Sequence, residues 1–228
     1  MTPGKLLKRT PNMPTVITTA NQKGGVAKTT SAVTLGHGLA RLGYRVLVID
    51  LDPQGHVAVS LGLEESPGLY QLLVEGEKVD QVAVKARENL DIIPSDKTAE
   101  AAKRYVTTVN FRERVIIKAL KNAGKYDAVI LDTPPSLDVL HVAALLASDW
   151  VLIPTKLDAL AVDGVNEILR SIAEVEQEHE FAGYSILPTF YDRTTKETST
   201  QLRDLVEAFG KAVWPPIPQD TRAREATA

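Results

Sequence analysis

The feature that most constrains the fold is a series of six short apolar runs separated by segments with helical periodicity. Runs that are apolar on both faces are typical of parallel strands covered by helices on both sides. The predicted strands are 16–20, 45–50, 90–94, 127–132, 150–154 and 184–190, and the predicted helices are 29–42 and, approximately, 68–75, 97–122, 138–148, 161–178 and 197–210. The sequence therefore predicts an α/β fold with a mostly parallel central sheet flanked by helices on both faces.

Length and composition indicate one ordinary globular domain. The chain has 228 residues, of which 44% are hydrophobic and 24% charged, with a net charge of -3. Cysteine is absent, which excludes disulfides, thiolate zinc sites and cysteine-ligated iron–sulfur clusters. No run of apolar residues is long enough for a membrane-spanning helix, and the N-terminus lacks the apolar core of a secretory signal. We expect a flexible arm at 1–14 and a single domain at 15–228.

The stretch TTANQKGGVAKTTSAVTL, residues 18–35, lies between the first predicted strand and helix. It resembles a phosphate-binding loop of the pattern G-x-x-x-x-G-K-[ST]. If Lys28 and Thr29 are the K-[ST] pair, Gln22 and Ala27 occupy the two glycine positions, and Lys23 is an additional lysine. The alternative is a helix-capping turn with a surface lysine.

A phosphate loop needs backbone N–H groups that converge on an anion at a helix N-terminus. Gly24 and Gly25 permit a tight turn close to a phosphate, Lys28 can reach the β- and γ-phosphates, and the Thr29 hydroxyl can ligate Mg²⁺. The predicted nucleotide-binding residues of the loop are Gly24, Gly25, Val26, Ala27, Lys28, Thr29 and Thr30.

Two further predicted strands end in aspartates. VIDLDPQG places Asp50 and Asp52 after one strand, and VILDTPPS places Asp132 after another. Carboxylates at such positions can hold Mg²⁺ or orient an attacking water. Either stretch alone is equally typical of a solvated turn. The three motifs in chain order, each at the carboxyl end of a strand, favour a nucleotide site.

The motifs K-G-G-V-x-K-T-T, V-I-D-L-D-P-Q-G and V-I-L-D-T-P-P-S-L together resemble those of the deviant-Walker ATPases of the ParA/MinD superfamily, and most of all its ParA (Soj-like) partition branch. The resemblance covers residues 16–226. It implies a P-loop NTPase fold with a deviant Walker A loop, ATP and Mg²⁺ as cofactors, and an ATP hydrolase that forms a sandwich homodimer with ATP. It also implies a cytoplasmic, nucleoid-associated protein.

The resemblance implies a role for each matching residue. Lys23 corresponds to the lysine that crosses the dimer interface to the partner's nucleotide, and Asp52 to the aspartate that activates water; both are the predicted catalytic residues. Thr29, Asp50 and Asp132 are the predicted Mg²⁺-side residues. Outside these motifs, the resemblance implies that Asp158 contacts nucleotide or partner and that Pro218 lies on the adenine side.

Two positions depart from the family pattern. The family most often has glycine at the position of Ala27, so the loop geometry and turnover are in question. It often has asparagine at the position of His56, which we interpret as a loop histidine rather than a site residue.

Partners are also implied by the resemblance: non-specific DNA and a ParB-like or other protein that stimulates hydrolysis. Residues 97–125 carry eight bases and two acids, and a second basic group could form from Arg193, Lys196, Arg203, Arg222 and Arg224. The alternative for 97–125 is a solvated helix face. The terminal stretch TRAREATA has no large apolar residue, so we expect no membrane partner.

The function predicted from the sequence is therefore a ParA-like ATPase that positions or segregates a plasmid or chromosome. Two alternatives stay open. The same switch could position a protein organelle or a chemosensory array. The chain could instead be a metabolic P-loop ligase or synthetase, in which Lys23 would have no evident role.

Overall fold

The structure is a computed structural model that describes residues 13–220. Most of the predicted N-terminal arm, together with Arg222, Arg224 and the terminal TRAREATA stretch, lies outside the described residues. The seven strands of this part are β1 Thr15–Thr19, β2 Val46–Asp50, β3 Val84–Arg87, β4 Leu90–Ile93, β5 Ala128–Asp132, β6 Trp150–Lys156 and β7 Gly183–Thr189.

The strands form one sheet in the order β3-β4-β2-β5-β1-β6-β7. Every neighbouring pair is parallel except β3 and β4, which are antiparallel. All five residues of β1, β2 and β5 are buried, because helices cover both faces of the sheet centre. The α/β fold expected from the sequence is confirmed.

The helices lie in two layers. Their bounds are α1 Lys28–Arg41, α2 His56–Ser60, α3 Gly68–Tyr70, which continues as a π turn over Gln71–Glu75, α4 Val79–Val82, α5 Ala99–Thr108, α6 Val115–Ala119, α7 Val139–Leu146, α8 Ala161–Val175 and α9 Lys196–Phe209. On one face, α1 packs so closely that a Cβ on Gly36 would lie 2.8 Å from a methyl of Val48. Helices α5, α6 and α7 pack together over the other face.

The short helices α2 and α4 were not predicted, and two further features differ from the sequence prediction. Strand β3 was not expected, because its residues are mostly exposed and two of the four are basic. The single helix predicted over 97–122 is wrong: α5 ends at Thr108, a 3₁₀ turn follows at Arg112–Arg114, and α6 is followed by another at Leu120–Asn122. Phe111 interrupts the helix with φ 55°.

The strand order brings the motifs of the sequence to one edge of the sheet. Strand β5 lies between β2 and β1, and its last residue, Asp132, pairs in register with Asp50 on one side and Thr19 on the other. The loop after β1 therefore starts beside both aspartate-bearing strand ends. In the part of the chain that the structure describes, no helix is long and apolar enough to cross a membrane.

Candidate nucleotide-binding site

The loop between β1 and α1 presents a row of unused backbone donors. Within residues 13–220, the backbone N–H groups of residues 24–30 donate to no protein acceptor, and the first backbone donor after them is Ser31, which bonds the carbonyl of Ala27 at 2.9 Å. These donors surround the N-terminus of a fourteen-residue helix. Free N–H groups and the positive end of a helix together attract an anion such as phosphate.

The loop turns through two residues with left-handed backbone. Gly25 has φ 68° and Ala27 has φ 67°, and Ala27 directly precedes α1. A Cβ added to Gly24 or Gly25 would meet nothing within 4 Å, so the inside of the turn is open. Glycine adopts this conformation without strain whereas alanine does not. Ala27 is therefore strained where the family most often has glycine.

A backbone carbonyl of β6 and a side chain of β7 hold the loop from outside. The amide of Asn21 donates to the Pro154 carbonyl at 2.8 Å and its oxygen accepts the Lys23 N–H at 2.9 Å. The Thr189 hydroxyl donates to the Val26 carbonyl at 3.2 Å. The loop is thus tied to strands that follow it by more than a hundred residues.

Lys28 points along the inside of the loop. Its side chain is buried, and its ammonium donates to the Lys23 carbonyl at 3.2 Å. Burial lowers the pKa of Lys28, while the charges of Asp132 and Asp52 oppose that shift. A buried ammonium beside free N–H groups is well placed for a phosphate oxygen.

Asp132, like Asp50, is a fully enclosed acid of the site. It is 1% exposed; one oxygen accepts the Thr19 hydroxyl at 3.0 Å, and the other has no partner among the described residues. Burial raises the pKa of Asp132 to about 6, while the hydroxyls of Thr29 and Thr19 and the Lys28 ammonium hold it down. A buried carboxylate oxygen without a partner, next to a threonine hydroxyl, suits a hard cation such as Mg²⁺.

Asp50 is bound by its own loop. Its two oxygens accept the N–H groups of Asp52 and Val57, each at 3.0 Å. Burial raises the pKa of Asp50 well above its ordinary value, and the nearby charge of Asp132 adds to the shift. This geometry favours Asp132 and Thr29 over Asp50 as direct metal ligands, and gives Asp50 the role of shaping the turn that carries Asp52.

Asp52 stands on that turn, half-buried, and accepts the N–H of Gln54 at 3.0 Å. Its charge acts on Lys28, Asp50 and Asp132, which places it in the same site. Within residues 13–220 no group of three or more acidic or histidine side chains forms a metal cage. A metal here would take protein oxygens from Asp132 and Thr29 and its other ligands from phosphate and water.

Lys23 and Asp158 form an ion pair in the same chain. The Lys23 ammonium lies 2.7 Å from both carboxylate oxygens of Asp158, which follows β6, and the two side chains are 35% and 24% exposed. The Lys23 hydrogen bonds, and then its charge, lower the pKa of Asp158 despite partial burial. The two residues that the family places at nucleotide or partner are therefore in contact.

Pro218 and His56 lie apart from these contacts. Pro218 is exposed and pairs as an isolated bridge with Tyr191, just after β7. His56 is the exposed first residue of α2. The structure places Pro218 at the same edge of the sheet as the phosphate loop, and brings His56 into no recorded contact with the other predicted site residues within the described part of the chain.

Three residues support the site through contacts that were not predicted from the sequence. Asn21 fixes the loop, Thr19 binds Asp132, and the Thr133 hydroxyl donates to the Thr19 carbonyl at 2.8 Å. All three are buried polar residues directly next to a motif. Their position next to a motif was the only signal in the sequence, and it does not reveal their partners, which lie on other strands.

The basic residues predicted for DNA fall into two groups. Arg193, Lys196 and Arg203 line one cavity of about 310 Å³ at the start of α9, so these three members of the predicted group lie together. Of the run at 97–125, Lys103 pairs with Asp138 at 2.8 Å and Lys125 with Asp80 at 2.7 Å.

Comparison with known proteins gives the site a family. Residues 14–182 match the AAA_31 family of AAA domains. The chain is 36% identical to the chromosome partitioning protein ParA of Caulobacter vibrioides, over 92% of this chain and 83% of that protein. It is also 36% identical to the sporulation initiation inhibitor protein Soj of Bacillus subtilis, over 92% and 87%.

Two solved structures share the fold. One is a protein from Mycobacterium smegmatis described as cobyrinic acid a,c-diamide synthase with bound ATP analogue and magnesium, with 33% identity, a TM-score of 0.84 and coverage of 94% and 91% of the two chains. The other is a McdA variant from Cyanothece in complex with ATP, with 25% identity, a TM-score of 0.86 and coverage of 96% and 88%. Their ligands agree with the cofactors expected from the sequence. With its loop, its strand-end aspartates and these relatives, the chain belongs to the ParA/MinD family of partition ATPases.

Proposed function

We propose that this chain is an ATP-driven partition switch. It binds ATP with Mg²⁺, forms a sandwich homodimer across the two nucleotides, binds DNA without sequence specificity as that dimer, and is reset when a partner protein stimulates hydrolysis. Its cargo is a plasmid or a chromosomal centromere complex. A soluble protein that works on the nucleoid fits this role.

The observation that carries the proposal is the free N–H groups of residues 24–30 beside the buried Lys28 and the orphaned oxygen of Asp132. The first two recognise a polyphosphate, and the third, with Thr29, recognises the metal that accompanies ATP. In the bound state, Lys28 exchanges the Lys23 carbonyl for a phosphate oxygen. Asp132 and Thr29 would hold the metal, which would supply positive charge to offset that of the phosphates.

Hydrolysis transfers the γ-phosphoryl group to water. Asp52 is proposed to orient that water and accept its proton, so that the bond to the β–γ bridging oxygen breaks as the new P–O bond forms. Asp50 positions Asp52, because it holds both the Asp52 N–H and the N-terminal turn of α2. Lys28 stabilises charge on the leaving ADP.

Lys23 connects hydrolysis to association. Two ATP molecules at one interface bring much negative charge together, and a lysine from each subunit neutralises it only in the dimer. In the single chain Lys23 is held by Asp158 at 2.7 Å. Association therefore replaces an intramolecular ion pair by one with the neighbouring nucleotide.

DNA binding is proposed at the cluster of Arg193, Lys196 and Arg203, which lines the same cavity as four hydroxyl-bearing side chains. Such a group can hold a backbone phosphate, and a dimer presents it twice. McdA, a structural neighbour, keeps the alternative of another cargo open, because the switch itself does not specify what it moves.

The ligase alternative is supported by the name of the Mycobacterium smegmatis neighbour. Lys23 separates the two functions. A ligase needs phosphate binding by Lys28 but has no evident use for the additional Lys23, which pairs with Asp158. The partition relatives favour the switch.

The deciding experiment measures sedimentation and DNA binding with ATP, ADP and no nucleotide at two salt concentrations. We expect a dimer and DNA binding with ATP only, and DNA binding that weakens at the higher salt. Lys23→Gln should keep ATP binding and lose the dimer, whereas Lys85→Gln, a change of an exposed lysine on β3, should behave like the wild type. An ATP-bound chain that stays monomeric would contradict the switch.

A further inference from the structure

The segment between α5 and α6 forms a surface unlike the rest of the chain. Phe111 is 69% exposed, more than any other large hydrophobic side chain in residues 13–220. Four exposed cations belong to the same stretch of chain. We call this group the aromatic–basic surface; its members are Arg104, Phe111, Arg112, Arg114 and Lys118.

Phe111 combines a strained backbone with an exposed ring. Its φ of 55° is in the left-handed region, which bulky residues seldom adopt. This residue interrupts what the sequence predicts to be one continuous helix. Strain of this kind persists where the surrounding structure enforces it, and it is concentrated at functional positions.

Neighbouring cations hold this segment on two sides. The Lys118 ammonium lies 5.9 Å from the centre of the Phe111 ring, and the Arg112 guanidinium donates to the Thr107 carbonyl at 3.4 Å. Lys118 therefore lies over the ring, and Arg112, next to Phe111 in the chain, is tied to the end of α5.

The charge of this surface is not neutralised within the described residues. Lys103 and Lys125 of the same run are engaged by acids, but Arg104, Arg112, Arg114 and Lys118 form no ion pair there. The acids of the run are Glu100 and Glu113. An uncompensated positive patch of this size attracts an acidic ligand.

Apolar surface continues next to the cations. The 3₁₀ turn Arg112–Arg114 and α6 both pack against α7, on which Val142 is 40% exposed. Aromatic and arginine side chains together are characteristic of the energetically important part of protein–protein interfaces. Contacts to a duplex backbone need the cations but have no use for the exposed ring.

We propose that the aromatic–basic surface is the docking site of an acidic segment of another protein, which inserts an apolar side chain against Phe111 while its carboxylates pair with Arg112 and Lys118. The site is separate from the cavity at α9 and needs no nucleotide. It goes beyond the proposed switch, which assigns no role to this surface.

The test is fluorescence anisotropy with three labelled probes on the full chain without nucleotide. The probes are a short glutamate-rich peptide that contains leucines, the same peptide with serine in place of leucine, and a duplex DNA. We expect the leucine peptide to bind best and to weaken with salt. Phe111→Ala and Lys118→Gln should each weaken peptide binding about fivefold or more, as expected for residues that contribute measurably to an interface.

Phe111→Gly separates binding from folding, because glycine adopts φ 55° without strain. It should lose the peptide while keeping the thermal stability of the wild type. Leu42→Ala, directly after α1, and Arg170→Gln, on α8, change exposed side chains elsewhere and should bind as the wild type does. Equal binding by Phe111→Gly and wild type, equal binding of the serine peptide, or preference for DNA would each overturn the inference.

Discussion

The ammonium of Lys23 lies 2.7 Å from both carboxylate oxygens of Asp158, a residue 135 positions later in the same chain. In the family, the lysine at this position contacts the nucleotide of the neighbouring subunit. Here the charge of Lys23 is already paired with Asp158 in the single chain. Because both side chains are about a third or less exposed, this ion pair contributes modestly to the stability of the single chain, on the order of 1 kcal/mol.

Asp158→Asn is expected to strengthen the ATP-dependent dimer by about twofold to fivefold, since Lys23 then leaves no ion pair behind. Analytical ultracentrifugation across a range of concentrations measures the dissociation constant. Asp163→Asn, a change of an exposed acid on α8, serves as the control. A weaker dimer in Asp158→Asn would mean that Asp158 orients Lys23 in the dimer rather than competing for it.

Asp52→Ala is expected to lower ATP turnover by about a hundredfold to ten-thousandfold, the usual contribution of a general base. ATP affinity and dimer formation should be retained, because the Asp52 side chain bonds Gln54 and not the phosphate loop. Phosphate release and equilibrium nucleotide binding measure the two effects separately. Unchanged turnover would remove Asp52 from the proposed mechanism; Asp80→Ala, at an exposed position, is the control.

Ala27→Gly is expected to raise the free energy of unfolding by about 0.5–1 kcal/mol. Left-handed backbone costs alanine roughly 1–2 kcal/mol, and glycine removes this cost. Because glycine also gives the unfolded chain more conformational freedom, part of the stabilisation is offset. Gly25→Ala is the matched opposite, because its new methyl would meet open space at φ 68° and only the backbone would be strained. Urea unfolding of both variants should give shifts of opposite sign.

Asp132→Asn is expected to stabilise the nucleotide-free chain at neutral pH and to abolish the stabilisation by Mg²⁺ with ATP. Burial raises the pKa of Asp132 to about 6. The folded chain therefore binds this proton more tightly than the unfolded chain, and the stabilisation is lost as the pH rises through about 6. Thermal unfolding at pH 7.5, with and without Mg²⁺ and ATP, measures both effects. If Mg²⁺ with ATP stabilised the variant and the wild type equally, Asp132 would be excluded as a metal-side residue.

His141 is expected to make the fold sensitive to acid. It is buried on α7 with no partner for either ring nitrogen among the described residues, and burial lowers its pKa to about 4, with Asp138 opposing and Lys28 adding to the shift. The unfolded chain takes up this proton below pH 6.5, whereas the folded chain does so only near pH 4. The free energy of unfolding therefore decreases by roughly 1.4 kcal/mol for each unit by which the pH is lowered between about 6.5 and 4.

Urea unfolding at pH 7 and pH 5 tests this sensitivity. Replacement by leucine should reduce the loss of stability between the two pH values by about 2 kcal/mol. His37→Leu, at an exposed position on α1, should leave the loss unchanged. An equal loss in His141→Leu and wild type would assign the acid sensitivity to other groups.

The centre of the sheet was predictable because its strands are apolar on both faces. Runs such as that ending at Asp50 have no other stable place than the middle of a covered sheet. Strand β3 was missed because an exposed edge strand carries polar residues and loses that signal. The break at Phe111 was missed because the conformation of one residue opposes the helical periodicity around it.

The site was predictable where its chemistry is local. The phosphate loop and Asp132 are contiguous motifs whose strand ends meet by topology. The ion pair of Lys23 with Asp158 and the support of the loop by Asn21 depend on pairing between β1 and β6, which no local pattern specifies. The left-handed backbone of Ala27 was not predictable either, because alanine, unlike glycine, is not typical of that conformation.

The hydroxyl of Thr189 holds the carbonyl of Val26 at 3.2 Å, and three residues further on the chain begins the turn that carries Arg193 and Lys196. The end of β7 is thus shared by the nucleotide loop and by the segment proposed to hold DNA. Thermodynamic linkage then applies in both directions. If ATP raises the affinity of this segment for DNA by some factor, DNA raises the affinity for ATP by the same factor. A chain bound to DNA would therefore bind ATP more tightly than a free one, and its equilibrium affinity for DNA would report whether the phosphate loop is occupied.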